Sequence, residues 1–236
     1  MKIVIAHLYY DLMNLYGESG NVRALIKYLE REGIDVVVEF ISIGDKFDFT
    51  KYDLVYIGSG TEENQILALK DLMKHKDALK CAIENDLFVL ATGNSYELFG
   101  KSLTLLDGTK IACLNIFDYS AKETDFRIID EAVFKSSKVS GPLIGFQNHK
   151  SVIKDNKKPM FSVITGTGSY PGSDGEGFNY KNFYGTYLIG PLLIRNPHFT
   201  KYLILKLIGK EINSDTDFLE EKAYDAYLKN FVKESV

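Results

Sequence analysis

Tryptophan is absent from the 236-residue sequence, cysteine occurs twice, histidine four times and proline five times. The two cysteines, Cys81 and Cys113, belong to no CxxC or Cys/His spacing. That excludes a disulfide framework and a zinc site, so no metal is expected and both read as reduced core or helix residues. Neither sign of charge dominates: 28 Lys and Arg stand against 32 Asp and Glu, a net charge of -4 with no clustered basic run. This argues against a general nucleic-acid binder, whose phosphate contacts need Lys and Arg in clusters. Long apolar runs are missing too, and nothing approaches the span of roughly 20 residues that a membrane helix needs. Met1-Lys2 passes straight into the short run Ile3-Val-Ile-Ala6, too brief for a secretory signal. A cytoplasmic protein without membrane insertion is the expectation.

What is present is a core. Hydrophobic residues make up 45% and charged residues 25%, the proportions of a soluble globular protein long enough to bury one. Lys2 to His7 reads as a buried strand, and Val22, Leu25, Ile26 and Leu29 recur at helical spacing before Gly33, which closes that helix. Asp35 to Ser42 and Tyr52 to Ile57 are the next strands, the latter entering Gly58-Ser-Gly60. A helix follows over Glu62 to Asn85, with Ile66, Leu69, Leu72 and Met73 on one stripe and Leu79, Ala82 and Ile83 on a second. Strands alternating with helices in this way imply a mostly parallel α/β sheet with helices on both faces.

The fourth strand, Leu87 to Ala91, ends in the small turn Thr92-Gly-Asn-Ser95 and passes at once into a helix at Tyr96. Many α/β enzymes present a nucleophile in such a strand-turn-helix, beside backbone N–H groups that receive an oxyanion. The apex here is Gly93, which has no side chain. Beyond Ser102 the texture becomes β-rich: a hairpin over Leu103 to Leu114, a strand over Asp125 to Phe134, and a short extended piece over Pro142 to Phe146. The glycine-rich stretch from Thr165 to Gly177 matches neither order of a phosphate-cradling loop and reads as a loop or hairpin before a strand over Asn182 to Ile189. Phe199 to Gly209 is an apolar helix, and Leu219, Ala223, Tyr227 and Phe231 mark a final amphipathic helix, Phe218 to Val232, that packs on the domain. With no linker, repeat or low-complexity tract, residues 1–236 are expected to form one domain, with 213–236 a C-terminal helical extension.

Five stretches carry a resemblance: Asp11 to Asn21, Tyr56 to Gly60 with Gln65, Leu90 to Gly100, Gly145-Phe-Gln-Asn-His149, and Tyr180 to Pro191. Together and in this order they resemble the class I glutamine amidotransferases of the cobyric acid synthase type, and within that group the glutaminase subunits of lipid II isoglutaminyl synthase. The resemblance implies a flavodoxin-like α/β fold that hydrolyses glutamine and passes ammonia to a Mur-ligase-like, ATP-dependent synthetase subunit; it implies no cofactor. Such chemistry needs a Cys thiolate at the strand-to-helix turn, a His to lower its pKa and protonate the leaving ammonia, and backbone donors for the oxyanion.

The sequence departs from that pattern at both chemical positions. The family's turn reads Ala-Ile-Cys-Gly-Gly and then an aromatic residue; here Ala91-Thr-Gly-Asn-Ser95 puts Gly93 in the nucleophile's place. The family's Leu-His-Gly-Pro reads Leu188-Ile-Gly-Pro191, which puts Ile189 where the general base belongs. No substitute stands out: Ser95 reads as a helix N-cap, His7 as a packed strand-end residue, His75 as a solvated helix residue, His149 as structural or pocket-lining, and His198 as a cap. Gly58 and Gly60 match the oxyanion loop, while Gln65 and Arg127 match positions that line a glutamine pocket, with Asn94 beside them. Three readings follow: an inactive amidotransferase-like binding or scaffold subunit of a peptidoglycan-amidating or related complex, an active glutaminase with a non-standard nucleophile, and a module that binds glutamine or a related small molecule. A cobalamin context would turn the same fold toward corrinoid amidation.

Overall fold

The structure, a computed structural model, describes residues 1–210 and 218–233. Strand β1 (Lys2–Leu8) is followed by a loop, helix α1 (Ser19–Arg31) and β2 (Asp35–Ile41); then come β3 (Leu54–Ile57), α2 (Glu62–Leu72), α3 (Lys76–Glu84) and β4 (Phe88–Thr92). The order β2-β1-β3-β4 is parallel throughout, and β11 (Phe183–Thr186) adds a fifth parallel strand beside β4. Side chains of these strands alternate between two cores, as the pleat requires. Ala6, Leu8, Val55, Ile57, Val89 and Ala91 face the core covered by α2 and α3. Ile3, Ile5, Leu54, Tyr56, Phe88 and Leu90 face the core covered by α1 and by α5 (Pro197–Ile208). The α/β sheet with helices on both faces is therefore present.

Beyond β11 the sheet continues in antiparallel form through β10 (Gly175–Tyr180) and β9 (Pro159–Thr165) to β7 (Ala121–Lys135). β8 (Leu143–Ile153) runs antiparallel along the opposite edge of β7. The hairpin β5 (Ser102–Thr104) and β6 (Lys110–Ala112) joins the far end. Strands of both halves of the chain thus share one eleven-stranded sheet.

Several local expectations are corrected. The single helix over 62–85 is two helices joined by a 3-10 turn at Met73–His75. The two apolar stripes sit out of phase, and the break lets both reach the same core. The helix expected from Tyr96 is a 3-10 helix over Gly93–Phe99 whose residues are all buried. The piece over 142–146 is the start of the long strand β8, β9 was not anticipated, and the final strand is only Phe183–Thr186. Cys81 is exposed on α3 rather than in the core, whereas Cys113 is buried.

Helix α4 (Leu192–Arg195) leads into α5, and α6 (Phe218–Lys233) lies against α4 and α5. Its contacts are more polar than the amphipathic stripe suggests. Leu219 and Ala223 are exposed, while Tyr224 donates to the Pro142 carbonyl at 2.6 Å and Arg31 pairs with Glu220 at 2.9 Å. Of the extension expected over 213–236, residues 213–217 and 234–236 lie outside the described residues. No helix among the described residues is long and apolar enough to cross a membrane.

Candidate functional site

The loops that leave the carboxyl ends of β1, β3, β4 and β11 converge, and α1 and α2 cover opposite faces, so the β1/β3 crevice is the switch point where open α/β sheets place ligands. The apex of the β4 turn stands there. Gly93 has φ +64°, a left-handed conformation that strains any L side chain. A Cβ added to it would lie 2.4 Å from both Cβ and Oγ of Ser59 and 2.9 Å from Cγ2 of Ile189. The two positions singled out in the sequence therefore meet in space, with Ser59 between the β3 loop and the apex. Ile189 is fully buried, and its N–H donates to the Phe146 carbonyl at 2.9 Å.

Asn94 closes the other side of the apex. Its Oδ1 accepts from the Gly60 N–H at 3.0 Å and from the Ser59 hydroxyl at 3.2 Å, and its Nδ2 donates to the Gly60 carbonyl at 2.9 Å. The side chain's own carboxamide thus occupies the donors that an oxyanion loop would offer. Gly58 and Gly60 have a packing reason for being glycine: a Cβ would meet the Met13 carbonyl at 2.4 Å in one case and the Met13 Sδ at 2.6 Å in the other.

Next to this lies a cavity of about 170 Å³ whose lining includes Gly60, Gln65, Asn94, Glu97, Arg127 and His149. Of the five proposed ligand-binding residues, all but Gly58 reach it. Gln65 Nε2 donates to the Asn94 carbonyl at 2.7 Å and to Glu97 Oε2 at 2.8 Å. Arg127 is tied to Glu62 and donates to Asn148 Oδ1 at 3.1 Å. Burial pushes the Glu97 carboxyl up to about 7, partly countered by Gln65 and by the nearby Tyr187 and Ser151 hydroxyls, although Oε1 itself has no hydrogen bond.

Beneath the apex Glu18 is wholly buried. One oxygen accepts from the Gly190 N–H at 3.0 Å; the other accepts from the Tyr56 hydroxyl at 3.0 Å and from the Thr92 hydroxyl. Burial raises its pKa against those three bonds. Asn21 completes the network, donating to the Tyr56 hydroxyl at 2.9 Å and accepting from Leu193 N–H at 2.8 Å. The first loop, the apex and the segment after Ile189 are fastened together by these side chains.

The remaining candidates serve structure. Ser95 is not an N-cap: its hydroxyl donates to the carbonyls of Ile57 at 3.0 Å and Thr92 at 2.9 Å, away from the cavity. Burial pushes the Cys113 thiol up to about 12. His7 packs edge-on against Tyr56, with ring centres 5.1 Å apart, and His75 lies 4.4 Å from the Phe47 ring. His198 caps nothing and packs on Tyr224. Among the described residues no group of His, Cys, Asp and Glu is placed to hold a metal ion. Sequence reading passed over Ser59, Glu18 and Glu97. Glu97 alone left a signal, a carboxylate inside the otherwise apolar run Tyr96-Glu-Leu-Phe99 directly after a buried strand.

Comparison with known proteins agrees with the fold. Two solved structures share the fold: a glutamine amidotransferase (TM-score 0.53, 12% identity, 87% of this chain and 99% of that one) and the glutaminase domain of Trypanosoma brucei CTPS with bound acivicin (TM-score 0.54, 9% identity, 90% and 98%). In sequence the chain is 32% identical over 236 residues to the lipid II isoglutaminyl synthase (glutamine-hydrolyzing) subunit GatD of Streptococcus pneumoniae, covering 99% of this chain and 90% of that protein. It is 34% identical over 205 residues to the subunit of the same name from Staphylococcus aureus, covering 87% and 84%. Residues 4–197 match the CobB/CobQ-like glutamine amidotransferase domain, and the chain belongs to that family.

Proposed function

We propose that this chain is a glutamine amidotransferase-like subunit without glutaminase chemistry. It acts in the cytoplasm as a binding or scaffold subunit beside a Mur-ligase-like, ATP-dependent synthetase in a peptidoglycan-amidating or related complex. One observation carries the reading: at the apex, where a thiolate would have to stand, there is no side chain, the space of one is filled by Ser59, and the neighbour is the apolar Ile189. A carboxamide is a poor electrophile, and its attack needs a nucleophile, a proton donor for ammonia and free oxyanion donors. Gly93 and Ile189 supply neither of the first two, and the Gly60 N–H is already bonded to Asn94.

The cavity that gathers Gly60, Gln65, Asn94 and Arg127 favours a second reading, a small-molecule binding module, and the two are compatible in one protein. Treatment with an electrophilic glutamine analogue, alone and with the synthetase partner, followed by peptide mapping, separates both from a displaced nucleophile. The expected result is no covalent adduct. An adduct on any residue contradicts the proposal and makes the chain an active glutaminase of unusual design.

A further inference from the structure

The charges around the cavity do not balance. Arg127 is held by Glu62, and Lys150 by Glu123 at 2.9 Å, so each of these cations already has a carboxylate. Glu97 has none. It is 1% exposed, one oxygen is bonded to Gln65 and the other has no hydrogen bond. The elements packed around it offer no free positive charge among the described residues. From α2 come Glu62 and Gln65, and from β8 come His149 and Ser151. Tyr96, Tyr119, Tyr187 and Cys113, which feel the Glu97 charge, are all kept neutral by burial. His149 is stacked on Tyr187, with ring centres 3.8 Å apart. Its Nδ1 lies 2.6 Å from the Ser151 carbonyl oxygen and its Nε2 2.9 Å from Gln147 Oε1. Two oxygen neighbours suit a protonated ring, but burial opposes the charge and pushes the pKa down to about 4; loss of hydration is the larger effect for a group this deep, and the ring is neutral at pH 7.

We infer that the cavity is a receptor for a small primary ammonium compound lacking a carboxylate, with Glu97 as the group that selects it. The ammonium supplies the missing counter-charge and a charge-assisted hydrogen bond to the ionised carboxylate. A volume of about 170 Å³ suits a short amine. A ligand carboxylate, in contrast, would have to displace Glu62 from Arg127. The inference rests on the binding-module part of the proposed function but not on the loss of glutaminase chemistry.

Calorimetric titration of the full chain with ethanolamine and with ethylamine at pH 6 and pH 8, with glutamine as the zwitterionic comparison, tests it. Saturable amine binding is expected, about tenfold tighter at pH 8 because the competent, ionised fraction of Glu97 grows by that factor. Glutamine should bind more weakly than ethanolamine, and Glu97→Gln should lower amine affinity at least tenfold at pH 8. If Glu97→Gln does not fold, the pH comparison on the unaltered chain carries the test, and equal amine affinity at pH 6 and pH 8 would overturn the inference. Absence of amine binding, equal affinity in Glu97→Gln, tighter binding of glutamine than of the amines, or a nitrogen NMR signature of a His149 imidazolium at pH 7 would each overturn the inference. Glutamate release from glutamine would refute the proposed function and leave the amine prediction standing.

Discussion

Gly93 and Asn94 set what the β4 turn can do. Replacing Gly93 by cysteine places a Cβ in a left-handed conformation and within 2.4 Å of Ser59, a contact that only movement of the β3 loop relieves. Gly93→Cys should therefore lower stability by about 1–3 kcal/mol in denaturant unfolding and yield no glutaminase activity. Unchanged or raised stability would show that the apex tolerates a side chain. Asn94→Ala removes the carboxamide that satisfies both the N–H and the carbonyl of Gly60. A loss of ~2 kcal/mol is expected, since buried backbone groups left without partners are costly. If stability is unchanged, water or a ligand takes those bonds equally well, and the oxyanion loop is not sealed.

Among the elements, the first loop, β4 and the segment after β11 are joined through Glu18. Glu18→Ala leaves the Gly190 N–H and the Thr92 and Tyr56 hydroxyls short of an acceptor, and should cost ~3 kcal/mol while loosening the contact of Ile189 with the apex. Equilibrium unfolding gives the cost, and hydrogen exchange at Gly190 gives the loosening; a change below half that size would mean the hydroxyls re-pair with one another. The parallel elements were legible in the sequence because they are short apolar runs separated by amphipathic helices, and Gly93 and Ile189 stand out there because their flanks keep the family's spacing; what the fold adds is that the two lie side by side. The antiparallel half was harder. β8 alternates buried and half-buried residues through polar Gln147, Asn148, His149 and Lys150, so its apolar start alone looked like strand. β9 begins at a proline and carries an exposed isoleucine, Ile164, and pairing with β7 and β10 rather than its own periodicity fixes it as strand. The network of Glu18, Tyr56 and Thr92 arises from residues far apart in the chain, and no local pattern announces it; for Glu97 the one local sign is a carboxylate inside an apolar run.

For the whole molecule, buried carboxyls and buried histidines shape the response to pH with opposite signs. Burial pushes Glu97 and Glu176 each up to about 7, above the ordinary carboxylate range. The folded state therefore holds their protons more tightly than the unfolded chain. Their stabilising contribution is complete below about pH 4.5 and is lost as pH rises through about 7, by up to ~3 kcal/mol per group at 1.36 kcal/mol per pKa unit. His7 and His149, which burial pushes down to about 4, act with the opposite sign between about pH 4 and pH 6.5, so the carboxyl contribution is read from a variant: the melting temperature of the parent minus that of Glu176→Gln, at constant ionic strength, should fall between pH 5 and pH 7.5. A difference that rises over the window would contradict the assignment. Such a molecule keeps the amidotransferase family's sheet, and in the proposed reading Gly93, Ser59 and Ile189 fill the place of its chemistry.

The most direct measurement is glutamate release from glutamine by the full chain, alone and mixed with the proposed Mur-ligase-like synthetase, acceptor and ATP. The account predicts no release above the rate of the mixture without the chain. Turnover on the order of 1 s⁻¹ or faster, the range of working enzymes, would contradict it.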